Sequence, residues 1–88
     1  MSWHLHPEVV ARRLGDSVVL VNLTSNEIYE LNKTGARALE LIQAGVGRDE
    51  LVSRLSTEFE GDHSTIARDV DRLVGELEQA GMIDGRHE

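Results

Sequence analysis

The chain has no cysteine and one proline among its 88 residues. The first absence removes a disulfide framework, a thiolate nucleophile and cysteine-based zinc ligation, and it suits a reducing cytosol. The second means that element boundaries must be read from changes of pattern, because Pro7 stands close to the start. Long apolar runs are also missing, so no stretch is fit to cross a bilayer. Residues 1–8 carry two histidines, Pro7 and Glu8, which do not read as a basic-then-apolar signal segment. A soluble, cytoplasmic domain is the expectation. Positive charge is scarce as well. Nine basic residues against sixteen acidic ones give a net charge of −7, which repels phosphate backbones and favours basic partners. Repeats, low-complexity blocks and long linkers are absent from the sequence. The length fits a single domain over residues 1–88, with residues 1–8 and 84–88 as flexible flanks. A core of this size is only marginally sufficient alone, leaving room for binding but little for a deep catalytic cleft.

The pattern that is present splits into strands followed by helices. Residues 9–14 can form a first strand, Gly15-Asp16 supplies a turn, and residues 17–23 carry Val18, Val19, Leu20 and Val21. That run is apolar on both faces and reads as a central strand. Thr24-Ser25-Asn26 is a polar turn cluster, after which Glu27 to Leu31 alternates charged and apolar residues around an Ile-Tyr pair. A three-stranded meander follows, with the segment from Glu27 on an edge.

Asn32 occupies the position of a helix N-cap, able to accept from first-turn N–H groups. A helix is predicted over 33–44, with Ala36, Leu39 and Ile42 at helical spacing and Gly45 as its stop. A second runs over about 48–59 around Leu51, Val52 and Leu55. A third begins near Asp62 or Ser64 and reaches Ala80, with Ile66, Val70, Leu73 and Leu77 in one stripe. Met82-Ile83 is expected to fold back on the core. Three strands, then three one-sided helices, make an α+β domain with the helices on one face of a small antiparallel sheet. Its exposed strand edge must be either protected or used, and Glu27 and Glu30 can serve as protection.

The run Tyr29-Glu30-Leu31-Asn32-Lys33-Thr34-Gly35-Ala36, its spacing to Leu41-Ile42 and Gly45, and the later Arg68-Asp69-Val70 with Leu73, Leu77, Gly81 and Met82-Ile83 resemble the PqqD-like family. These are the peptide-recognition elements of ribosomally made, modified peptides, and the resemblance covers roughly residues 9–83. It implies a winged helix-turn-helix-like fold in which a precursor's leader peptide adds as an antiparallel strand to the third strand and packs against the third helix. Carried over by position, it implies main-chain contacts at Glu27, Ile28, Tyr29, Glu30 and Leu31. It implies a helical wall of Ile66, Asp69, Val70 and Leu73, with Arg72, Glu76 and Leu77 beside them. The short length and the Ala/Arg/Asp/Val-rich last helix look most like the stand-alone members from lasso-peptide clusters. The partners so implied are the leader peptide, a cysteine-protease-like leader peptidase and an ATP-dependent macrolactam synthetase. A second branch presents its precursor to a radical enzyme of pyrroloquinoline-quinone synthesis. Against that branch, this chain has Ala38-Leu39 where many such members carry a bulky aromatic.

Each residue also has a plainer reading. Tyr29 can simply pack on the sheet, Leu31, Leu73 and Leu77 can be core, and Ile66 and Val70 are the better candidates for a partly open groove. Asp69 pairs as readily with Arg72 on a solvated face as with a leader. Arg68 and Arg72, four apart, can meet an acidic leader residue or stay in solvent. Gly45-Val46-Gly47 lacks the Gly-Lys-Ser/Thr of a phosphate loop and reads as a turn. His4 and His6 lack the further ligands that zinc needs, and Glu58, Glu60 and Asp62 form a charged interhelix loop; no metal, cofactor or catalytic set is expected. DNA binding through the third helix fails on charge. Residues 62–80 hold five acids against two arginines, near −3 where a recognition helix needs a positive surface. An adaptor or homodimer pairing through the same edge is the remaining alternative.

Overall fold

The computed structural model describes residues 2–86. Its elements, in order, are β1 (Ser2–Leu5), β2 (Val9–Leu14), β3 (Ser17–Asn22), β4 (Ile28–Leu31), α1 (Lys33–Gln43), α2 (Arg48–Glu58), α3 (His63–Gln79) and β5 (Ile83–Arg86). The antiparallel sheet β2-β3-β4 followed by three helices is the α+β arrangement expected from the sequence. The central strand is β3, as its two-sided apolar character requires. Val18, Leu20 and Asn22 are buried on the helix side, while Ser17, Val19 and Val21 alternate to the other face.

Local chemistry fixes the joints. Asn32 caps α1, its side-chain oxygen accepting from Gly35 N–H at 2.9 Å, and Asp62 caps α3 by accepting from Thr65 N–H at 3.2 Å. Asn22, the one buried polar residue among the described residues, organises the turn into β4. Its carbonyl oxygen accepts from the N–H groups of Thr24 and Ser25 at 2.9 and 3.1 Å, and its amide donates to Gly81 O at 2.8 Å. One side chain thus ties the β3–β4 turn to the end of α3. Leu20, Leu31, Ile42, Leu51, Leu55, Leu77, Met82 and Ile83 fill the centre.

The chain ends depart from expectation. Flexible flanks at 1–8 and 84–88 were predicted, yet β1 and β5 form a second, two-stranded antiparallel ladder that pairs Trp3 with Gly85 and Leu5 with Ile83. Within those flanks, residues 1, 87 and 88 lie outside the described residues. The physical reason is Trp3, which is buried in the core, with β1 packed on α1 and β5 on α3. No helix among the described residues is long and apolar enough to cross a membrane.

Candidate functional site

Strand β4 is an edge, and its phase decides which backbone groups are free. Asn22 N–H donates to Glu27 C=O at 2.9 Å, and in an antiparallel pair hydrogen-bonded and non-bonded positions alternate. The register Leu20 with Tyr29 and Val18 with Leu31 therefore turns the backbone of Tyr29 and Leu31 toward β3. Ile28 and Glu30 hold their N–H and C=O toward the open edge. Glu27 is engaged inward, its N–H donating to Ser25 Oγ at 3.3 Å. Of the five main-chain contacts expected from Glu27 to Leu31, the geometry leaves two residues with free groups.

Side chains alternate in the opposite sense. Tyr29 and Leu31 face the helices, whereas Ile28, 67% exposed, lies on the far face of the sheet in one row with Val21, and Glu30 in the next row with Val19. Between β4 and α3 runs an open groove of about 300 Å³, bordered by Tyr29, Glu30, Leu31, Asp69, Arg72, Leu73 and Glu76. Across it the Tyr29 hydroxyl donates to Glu76 Oε1 at 2.6 Å. That bond, together with partial burial and the negative charge of Glu76, raises the Tyr29 pKa above its ordinary value, against the opposing charge of Arg72. Arg72 lies 3.8 Å from Asp69 along the groove's outer lip.

Three helical residues expected in the wall are elsewhere. Val70 and Leu77, 3% and 0% exposed, are core side chains on the buried face of α3. Ile66 is half-buried at the start of α3, against Gly61 rather than in the groove. Conversely, Leu73 borders the groove rather than serving only as core. The sequence reading missed Asn32, Thr34 and Gly35, which close one end. Their signal was present, since the strand runs into the helix through Leu31-Asn32 and a Cβ on Gly35 would stand 3.1 Å from Leu31 Cδ2. Among the described residues no group of three or more His, Asp or Glu is placed to hold a metal ion.

An open strand edge beside a helix-walled groove is one of the general geometries at which extended peptides are recognised. The chain belongs to the PqqD family: residues 17–83 match the family described as Coenzyme PQQ synthesis protein D. Two solved structures are similar over nearly their whole length. "TbiB1 in Complex with the TbiA(beta) Leader Peptide" is 25% identical with a TM-score of 0.87, covering 97% of this chain and 99% of that one. "Lasso peptide synthetase B1 complexed with the leader peptide" is 26% identical at the same TM-score of 0.87, covering 97% of this chain and 100% of its own. A comparison with curated proteins finds no match.

Proposed function

We propose that this chain is a peptide-recognition element that holds the leader of a ribosomally made precursor, of the lasso type, as a fourth strand on β4. The observation that carries this reading is the free edge of Ile28 and Glu30 beside the groove, in a chain similar along its length to two proteins whose names specify a bound leader peptide. The main chain of the leader bonds to Ile28 and Glu30 and supplies generic affinity. Alternate leader side chains enter the groove over Leu31 and Leu73, between Tyr29 and the polar lip of Asp69, Arg72 and Glu76, and supply selectivity.

The domain does no chemistry itself. It presents the precursor to a leader peptidase and a macrolactam synthetase by raising the local concentration of the core peptide at each. It acts in the cytoplasm, without cofactor, nucleic acid or membrane. The family description favours a second reading, presentation of a precursor in coenzyme PQQ synthesis, but the full-length similarity to a lasso peptide synthetase B1 and to a second leader-peptide complex ranks it second. Fluorescence polarisation of a labelled lasso-precursor leader, with duplex DNA as control, tests the reading. Micromolar or tighter leader binding with no DNA response supports it. A folded protein that binds no such leader sinks it and favours an adaptor role.

A further inference from the structure

The face of the sheet opposite the helices is apolar, and its layout is symmetric in a way that names its occupant. Two rows cross all three strands. In one, Val10 pairs with Val21 and Val21 with Ile28; in the next, Arg12 pairs with Val19 and Val19 with Glu30. Directly paired residues share a face, so each row is a line of neighbouring side chains. Val10 is 40% and Ile28 67% exposed, and Leu14, 61% exposed, extends the patch at the far end of β2. Arg12 and Glu30 sit at opposite ends of the second row. Neither makes an ion pair among the described residues, whereas the adjacent Arg13 is held by Glu40 at 2.7 Å.

We propose that this face is the contact between two copies of the chain, packed sheet to sheet about a two-fold axis running along β3. Rotation about that axis keeps the height along the strand and exchanges β2 with β4. Arg12 of each copy then faces Glu30 of the other, twice. Val19 meets Val19, Val21 meets Val21, and Val10 meets Ile28. The alternative two-fold in the plane, running across the strands between the two rows, sets Arg12 on Val10 and Glu30 on Ile28 and buries charge against aliphatic groups. Only the first arrangement is complementary. Aligned sheets pack about 10 Å apart with a modest rotation, a gap that an arginine and a glutamate reaching from opposite sides can close. The face is built from three strands of six, six and four residues, and each copy carries −7, so the dimer is weak and reversible.

The arrangement leaves the proposed leader site alone. Each β4 edge lies over β2 of the other copy and remains open, and each groove is on the helix side. Two leaders can be held by one dimer.

Sedimentation velocity from micromolar to near-millimolar protein, at about 0.15 M salt where the screening length is about 8 Å, tests this. The expected mass rises from 9.8 kDa toward twice that value with concentration. Arg12→Glu and Glu30→Arg, both at exposed positions, should each weaken association by about tenfold, because two attractive contacts become repulsive. The double variant Arg12→Glu/Glu30→Arg restores the contact with signs exchanged and should recover wild-type association. A wild-type chain that stays monomeric throughout overturns the proposal. So does a double variant no better than the singles, and in either case the apolar face belongs to a different protein.

Discussion

At the residue scale, burial separates positions that the linear stripe of α3 makes look alike. Val70 and Leu73 are three apart on one helix, yet Val70 is a core side chain and Leu73 forms part of the groove. Val70→Asp is therefore expected to unfold the domain, because an unpaired carboxylate in that position has no water and no partner. Leu73→Ser should leave a folded protein whose leader affinity falls about tenfold, the loss expected for one apolar side-chain contact. Circular dichroism and polarisation on both variants check this, and a Leu73→Ser protein that binds normally removes Leu73 from the site. Asn32 stands at the other end of the groove as the cap of α1. Asn32→Ala should cost about 1 kcal/mol, the usual price of an N-cap, and lower Tm by roughly 4–8 °C in a domain this small.

At the scale of elements, the edge strand and the helix junctions make separate predictions. Proline on an edge strand is tolerated where its missing N–H would point to solvent. Glu30→Pro deletes an outward donor while keeping every bond to β3, so the fold should survive and leader binding should fall by at least about tenfold. Tyr29→Pro removes a donor aimed at β3 and should destabilise the sheet instead. The pair distinguishes strand addition from side-chain recognition alone, and a Glu30→Pro protein with undiminished affinity argues against augmentation. The helices are joined by charge: Arg37 bonds Glu58 at 2.8 Å between α1 and α2, and Arg48 grips Asp71 with two bonds of 3.0 Å between α2 and α3. Hydrogen bonds from those arginines hold the carboxyls of Glu58 and Asp71 below their ordinary values. Bonds from Ser64 and Thr65 do the same to Asp62. A depressed folded-state pKa contributes stability that is present above the unfolded value and lost as pH falls through the folded one. Thermal stability should hold from neutral pH to about pH 5 and then decline on acidification through the carboxylate range. These groups are exposed, so the decline should be gradual and shallower in high salt.

The elements themselves were legible because their signals are local. Asn32 and Asp62 are caps readable from a few residues, Gly45 and Gly81 stop helices with φ of 90° and 73°, and the apolar stripes fall at helical spacing. The candidate site was legible only in part. A linear stripe does not show which of Ile66, Val70, Leu73 and Leu77 another element covers, and strand phase depends on a hydrogen bond from Asn22 that sequence alone does not place.

At the scale of the whole molecule, the two chain ends are where the sequence carried least information, and they supply a last test. β1 and β5 are four residues each and meet across nearly the full length of the chain, so neither has a local pattern to announce it. What joins them is non-local burial: Trp3, the chain's single tryptophan, sits at 6% exposure, partnered with Gly85 on β5. Truncating a buried tryptophan typically costs 3–5 kcal/mol, and a domain of this size holds only about 5–15 kcal/mol in all. Trp3→Ala should therefore lower Tm on the order of 20 °C, whereas His4→Ala, on the half-exposed neighbour that stands 3.7 Å from Asp84, should change it little. Among the described residues, none of β1 or β5 lines the groove beside β4. Below its lowered melting point the Trp3→Ala protein should consequently bind leader with wild-type affinity. Equal affinity with lost stability would mark the terminal ribbon as a fastening that lets a small core fold. Weakened binding in a protein still folded by circular dichroism would mean instead that the ribbon sets the position of α3, and with it the width of the groove.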